Sequence, residues 1–141
     1  FFAWLYGSKT ATTSTEGAAL KNFYDKKKIL DNHWDGTKVQ TPFQKEIVDV
    51  DEHHALNYIV QSTTAELTLL QAMKIDYLLR TQAKKSKLCC IIHDAIVIDF
   101  SSQDEHLLPA IKSLMSSTKF GNFKINISSG NNLGNLRELS V

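Results

Sequence analysis

His93 and Asp94 stand side by side in the middle of LCCIIHDAIVIDF, Leu88 to Phe100. The run around them is apolar, and β-branched residues crowd its second half. Burying an unpaired carboxylate is very costly, so a core strand would not carry one without a reason. At the turn of a hairpin, both side chains can reach out of the sheet at its tip. Asp94 would there be a hard oxygen ligand for Mg²⁺. One carboxylate is rarely enough, because two-metal phosphoryl transfer draws acidic ligands from more than one element. An Asp in a tight turn is also frequent without any such role. Here the turn lies between two very apolar strands, and neither Gly nor Asn follows the Asp.

A second set of residues shares one face of a helix. His53, Asn57, Gln61 and Thr64 are spaced four, four and three. They could be the wet side of an amphipathic helix. They could also contact base edges, since amides both donate and accept, and the minor groove offers purine N3 and pyrimidine O2.

The elements that must position these residues follow from periodicity. Leu56, Ile59, Val60, Thr63, Leu67, Leu70, Met73, Tyr77 and Leu78 recur at three and four, with no Pro or Gly between Glu52 and Lys85. That predicts one long helix with this apolar stripe inward, and Lys84 and Lys85 suit its negative end. Strands Leu88 to Ile92 and Ile96 to Phe100 flank the His-Asp turn. Ser101 or Ser102 can cap a following helix running to about Ser117, with Glu105 completing a capping box from Ser102. Phe123 to Ile127 alternates as a last strand, and the tail beyond it is loop-like. Upstream, Thr15 to Leu30 predicts a helix, Asp35-Gly36 a turn, and Lys38 to Val50 a hairpin around Thr41-Pro42-Phe43-Gln44. Segregated helices and antiparallel strands imply an α+β fold: an antiparallel sheet with a long packed helix and flanking helices.

The bulk composition excludes little. The 141 residues suffice for one domain with a core, and 22% charged with 43% hydrophobic residues reads as an ordinary soluble globular chain. A formal net charge of +1 does not announce a nucleic-acid binder, so any basic surface is local. The clusters Lys26-Lys27-Lys28 and Lys84, Lys85, Lys87 read first as solvated lysines. Cys89 and Cys90 are adjacent, hence on opposite faces of a strand; buried free thiols are expected, not a disulfide. No run reaches the length of a membrane span, and nothing reads as a signal peptide. The opening FFAWLYG has no initiator Met and reads as the inside of a hydrophobic element, so a longer parent chain is expected.

LNYIVQSTTAELTLLQAM, Leu56 to Met73, followed by IIHDAIVIDF, resembles the palm of a family A, DNA polymerase I-like, DNA polymerase. FFAWLYG resembles the end of that family's fingers helix, and the wording is closest to the podovirus-type bacteriophage branch. Asn57, Gln61, Ser62 and Thr63 match the family's Asn, three residues, then Gln with small residues after it. Gly130 and Asn132 match its closing segment, with Leu133 in place of an aromatic.

The resemblance implies template-directed DNA synthesis in replication, with residues 1–30 ending the fingers and 31–141 forming the palm. Asp94 then binds catalytic Mg²⁺, with His93 near the primer terminus. His53, Asn57 and Gln61 contact primer-template DNA, where the family has an Arg at the position of His53. Phe2 packs on the sugar of the incoming dNTP, implying discrimination against dideoxynucleotides, and Tyr6 lies beside the templating pair. The setting implied is the cytoplasm of an infected bacterial host, with a processivity factor as a further partner.

Two departures stand out. Ala95 replaces the family's Glu and cannot ligate metal. The strand with the second palm Asp and the triphosphate-holding Arg and Lys would lie upstream. The chain alone is therefore expected not to polymerise DNA. A catalytically inactive nucleic-acid-binding remnant is the alternative. An HD-type phosphohydrolase, using His53, His54 or His106 as further ligands, fits poorly with the apolar strands around His93-Asp94.

Overall fold

An Asp-Gly turn sets the first part of the molecule. Asp35 Oδ1 accepts from the Thr37 and Lys38 backbone N–H groups at 3.0 and 2.9 Å. Gly36 takes a φ of +105°, which a side chain would resist. This turn joins α1, Lys26–His33, to the short hairpin of β1, Val39–Gln40, and β2, Glu46–Ile47. The computed structural model describes residues 26–140, so Phe2, Tyr6 and most of the helix expected over Thr15 to Leu30 lie outside the described residues. What is described of that helix continues past Leu30 to His33.

The long helix is present as α2, Glu52–Gln82, 31 residues without Pro or Gly. Asp51 caps it: Asp51 Oδ1 accepts from the His54 backbone N–H at 3.0 Å. The hairpin β3, Lys87–Ile92, and β4, Ala95–Asp99, follows. A 3₁₀ segment, Ser102–Leu107, then leads into α3, Leu108–Ser116. Two more antiparallel pairs end the chain: β5, Ser117–Thr118, with β6, Gly121–Asn122, and β7, Ile127–Ser129, with β8, Arg137–Leu139. Every described strand pairs antiparallel with its sequence neighbour, and the fold class is α+β. Among the described residues no helix is long and apolar enough to cross a membrane.

The chain divides into two compact units, Phe1–Glu66 and Leu67–Val141. In the first, Val39, Val50, Ala55 and Ile59 are buried together, and Ile29, Leu30, Trp34 and Ile47 pack against them. Trp34 satisfies its indole N–H on the Val50 carbonyl at 3.0 Å, so the half-buried ring leaves no orphan donor. In the second, Ile75, Leu79, Leu107 and Ile111 are buried, and Leu88, Ile96, Ile98 and Phe100 of the β3–β4 hairpin pack against them.

Several expectations are corrected. In its second half α2 buries Thr68, Gln71, Ala72, Ile75 and Leu79, whereas Leu70, Met73 and Tyr77 are exposed. The Gln71 amide is half satisfied there: its Nε2 donates to the Ser117 carbonyl at 2.7 Å, while its Oε1 is buried with no hydrogen-bond partner among the described residues. Cys89 and Cys90 are free but exposed. The register shifts between Leu88 and Cys90, a bulge that removes Cys89 from pairing, and only one face of this two-stranded sheet is packed. The helix cap is Ser101, whose side chain accepts from the Gln103 N–H, and the Ser102–Glu105 box does not form. The alternating run Phe123 to Ile127 is not a strand up to Ile127, because no strand ladder includes residues 123–126. The loop-like tail supplies the partner, as Arg137 to Leu139 pair with Ser129 to Ile127.

Candidate nucleic-acid interface

His93 and Asp94 form the whole loop of the β3–β4 hairpin, between the paired residues Ile92 and Ala95. Both are exposed, as is Ala95. His93 has a φ of +56°. A two-residue hairpin loop needs a positive φ at its first position to match the twist of the strands, and glycine ordinarily supplies it. A non-glycine residue held there costs on the order of 1–2 kcal/mol. The ladder from Lys87–Asp99 to Ile92–Ala95 imposes the geometry, and Leu88, Ile96 and Ile98 hold that ladder to the core of the second unit.

The base of the same hairpin is fastened by Asp104. This carboxylate is fully buried. Its Oδ1 accepts from the Lys84 N–H at 2.7 Å. Its Oδ2 accepts from the N–H groups of Lys85 and Ser86 at 3.0 and 2.9 Å, and from the Ser86 hydroxyl at 2.7 Å. Ser86 Oγ in turn accepts from the Ser101 N–H at 2.9 Å. The residue before β3 is thereby tied to the segment after β4. The Lys84 N–H, followed by the other donors, holds the Asp104 carboxyl far below the usual carboxylate range, although burial alone would raise it. Sequence reasoning passes over Asp104. Its only visible signal is a carboxylate three residues after the capping Ser101, and its partners are three backbone N–H groups and one hydroxyl 18 to 20 residues upstream.

The helix stripe belongs to the first unit. His53, Gln61 and Thr64 are exposed and Asn57 is half-buried, so α2 does present these residues along one face, away from buried Ala55, Leu56 and Ile59. Thr64 turns its hydroxyl back onto the Val60 carbonyl at 2.9 Å. Asn57 Oδ1 is buried with no hydrogen-bond partner among the described residues, which leaves the amide with unmet capacity. His53 stacks edge-on against His54 at 5.1 Å. His54 Nδ1 lies 2.9 Å from Asp51 Oδ2, and the His54 ring, with its backbone N–H, holds the Asp51 carboxyl below its usual value.

A metal centre needs more donors than either place supplies. No group of three or more His, Cys, Asp or Glu side chains that could hold a metal ion occurs among the described residues. Asp94 brings one carboxylate and Ala95 none, so the described residues do not form a two-ion site by themselves. Within the second unit, His106 does not join His93-Asp94 in such a group.

Comparison with protein-family models, with curated proteins and with solved structures finds no match for this chain.

Proposed function

We propose that this chain is the primer-holding palm portion of a longer template-directed DNA polymerase. The observation that carries the reading is the exposed His93-Asp94 tip, held by an apolar antiparallel ladder with His93 in a conformation that glycine would adopt more cheaply. Gln44 and Asp49 also have a positive φ, and what sets His93 apart is its place beside Asp94 at the tip of the apolar hairpin. In this reading Asp94 contributes one carboxylate oxygen to a magnesium centre, and its other ligands come from outside the described residues. Magnesium would supply charge neutralisation at the transferring phosphate. His93 contacts the primer terminus. Asn57 and Gln61 follow the minor groove, where acceptors sit at nearly the same place in every correct pair, so they check shape without reading sequence. Phe2 and Tyr6, by resemblance, contact the dNTP and the templating pair.

The test is primer extension by the full-length parent, wild type and Asp94→Asn, in magnesium. Loss of a metal-ligating carboxylate is expected to slow extension on the order of 100-fold or more, with primer-template binding kept. Near-normal extension by Asp94→Asn would make the turn structural and sink the assignment. A second reading has its own observation: Ala95 and the single carboxylate suit a nucleic-acid-binding remnant without catalysis. A wild-type parent that binds primer-template but extends nothing would favour it.

A further inference from the structure

Beyond the hairpin tip, the second unit carries a groove of about 630 Å³ between α3 and the β7–β8 hairpin. Its walls include Lys112, Ser116, Phe123, Lys124, Asn126 and Glu138. That volume is the size of a small-ligand site. Phe123 is 49% exposed although it is a large apolar ring. Its backbone is fixed, since the Phe123 N–H donates to the Ser116 carbonyl at 2.9 Å. In the nearby β5–β6 turn, Phe120 is 46% exposed and Lys119 Nζ lies 5.0 Å from its ring centre. Thr118 Oγ1 accepts from the Phe120 N–H at 3.1 Å and donates to the Gly121 carbonyl at 2.9 Å, which shapes this turn.

The charge pattern adds an independent observation. From His106 to Arg137 the chain holds Lys112, Lys119, Lys124 and Arg137 and no Asp or Glu. The chain as a whole has a formal net charge of only +1, so positive charge is concentrated in this stretch. One presented ring, Phe123, with Lys112 and Lys124 on a groove of ligand size, and the Lys119–Phe120 pair in the neighbouring turn, match one class of partner. Phosphates seek the lysines, and unpaired bases stack on the rings. A duplex fits less well, because its bases are already stacked and their faces are closed to a side-chain ring. Glu138 works against a phosphate at its own end of the groove. It can accept from an exocyclic base amine, so it favours a base over a phosphate there.

We propose that this groove binds single-stranded nucleic acid, with a base on Phe123 and backbone phosphates on Lys112 and Lys124. The proposal goes beyond polymerisation and does not depend on Asp94.

The test is fluorescence anisotropy of a labelled oligodeoxycytidylate, whose bases carry the exocyclic amine, with the 141-residue chain, without magnesium or dNTPs. Phe123→Ala is expected to weaken binding roughly tenfold or more, the usual loss for one stacked base, and Phe123→Trp to restore it. Lys124→Gln is expected to flatten the dependence of log K on log salt by about 0.7, one phosphate contact to a single strand. A circular-dichroism melt of each variant separates lost binding from lost fold. The proposal is overturned if the wild-type chain does not bind the oligonucleotide. It is also overturned if a folded Phe123→Ala variant binds normally, or if blunt duplex competes as well as single strand. A polymerase reading that failed on Asp94→Asn would leave this result standing.

Discussion

At the scale of single residues, Asp104 makes the clearest physical claim. Its carboxylate faces only donors: the N–H groups of Lys84, Lys85 and Ser86 and the Ser86 hydroxyl. Asn in its place would turn an NH₂ donor towards some of those donors and leave buried groups unpaired, which is costly. Asp104→Asn is expected to lower the melting temperature at neutral pH by at least about 5 °C. The pH dependence follows from the direction of the shift. The folded state holds the Asp104 carboxyl below its ordinary value, so the unfolded chain takes up the proton first as the solution is acidified. The stabilisation is therefore full above the unfolded value of about 4 and is lost as pH falls through the lower folded value. Melting of wild type and Asp104→Asn across that range should show a wide gap at pH 7 that narrows below about pH 4. Equal melting at pH 7 would mean the carboxylate does not fasten the hairpin. Since Ser86 and Ser101 bracket β3 and β4, loss of this tie should also loosen the ladder that holds His93 at its positive φ.

At the scale of elements, α2 separates what periodicity reveals from what it hides. Its length and lack of breakers were legible, as was the β3–β4 hairpin, because two apolar runs flank two polar residues with nothing else to form the turn. Which side of α2 faces inward in its second half was not legible. Residue type favours Leu70, Met73 and Tyr77, but the neighbours that α2 meets in the second unit select Thr68, Gln71, Ile75 and Leu79. The Gln71 Nε2 is satisfied inside by the Ser117 carbonyl 46 residues further along, a partner invisible to any local window. The β7–β8 pairing was hidden for a similar reason, since Ile127–Ser129 and Arg137–Leu139 carry little hydrophobic signal between them. The stripe has a direct test. Ile75, 1% exposed, is expected to cost about 2–5 kcal/mol when truncated to Ala. Met73, 69% exposed, is expected to cost no more than about 0.5 kcal/mol in the same change. Urea titrations of the two variants measure both. Equal losses would place the inward stripe where residue type alone puts it. The candidate site was legible in the same uneven way. The His93-Asp94 tip and the shared helix face of His53, Asn57 and Gln61 follow from local spacing, whereas the half-burial of Asn57 and the Asp104 tie depend on contacts made only after folding.

At the scale of the whole molecule, the question is whether these parts suffice for chemistry. Nucleotidyl transfer needs metal ions held between several acidic ligands, because charge develops on the transferring phosphate and on both flanking oxygens. The described residues put one carboxylate, Asp94, at an exposed tip with Ala95 beside it, and no group of three metal-binding side chains occurs among them. Binding makes smaller demands. The two nucleic-acid contacts proposed above, at the exposed face with His53 and Gln61 and at the groove with Lys112, Phe123 and Lys124, need no metal. The 141-residue chain is therefore expected to retain labelled primer-template, more weakly as salt rises, yet to add no nucleotide to it in magnesium and dNTPs. Gel-resolved primer extension beside an anisotropy titration measures both on one preparation. Extension by the purified chain would show that its residues complete a metal centre after all. Extension together with a silent Asp94→Asn variant would move that centre away from the hairpin tip. Retention without extension is the outcome that separates holding a primer, the role proposed for these elements, from transferring a nucleotide to it, which takes more carboxylates than the one at the hairpin tip.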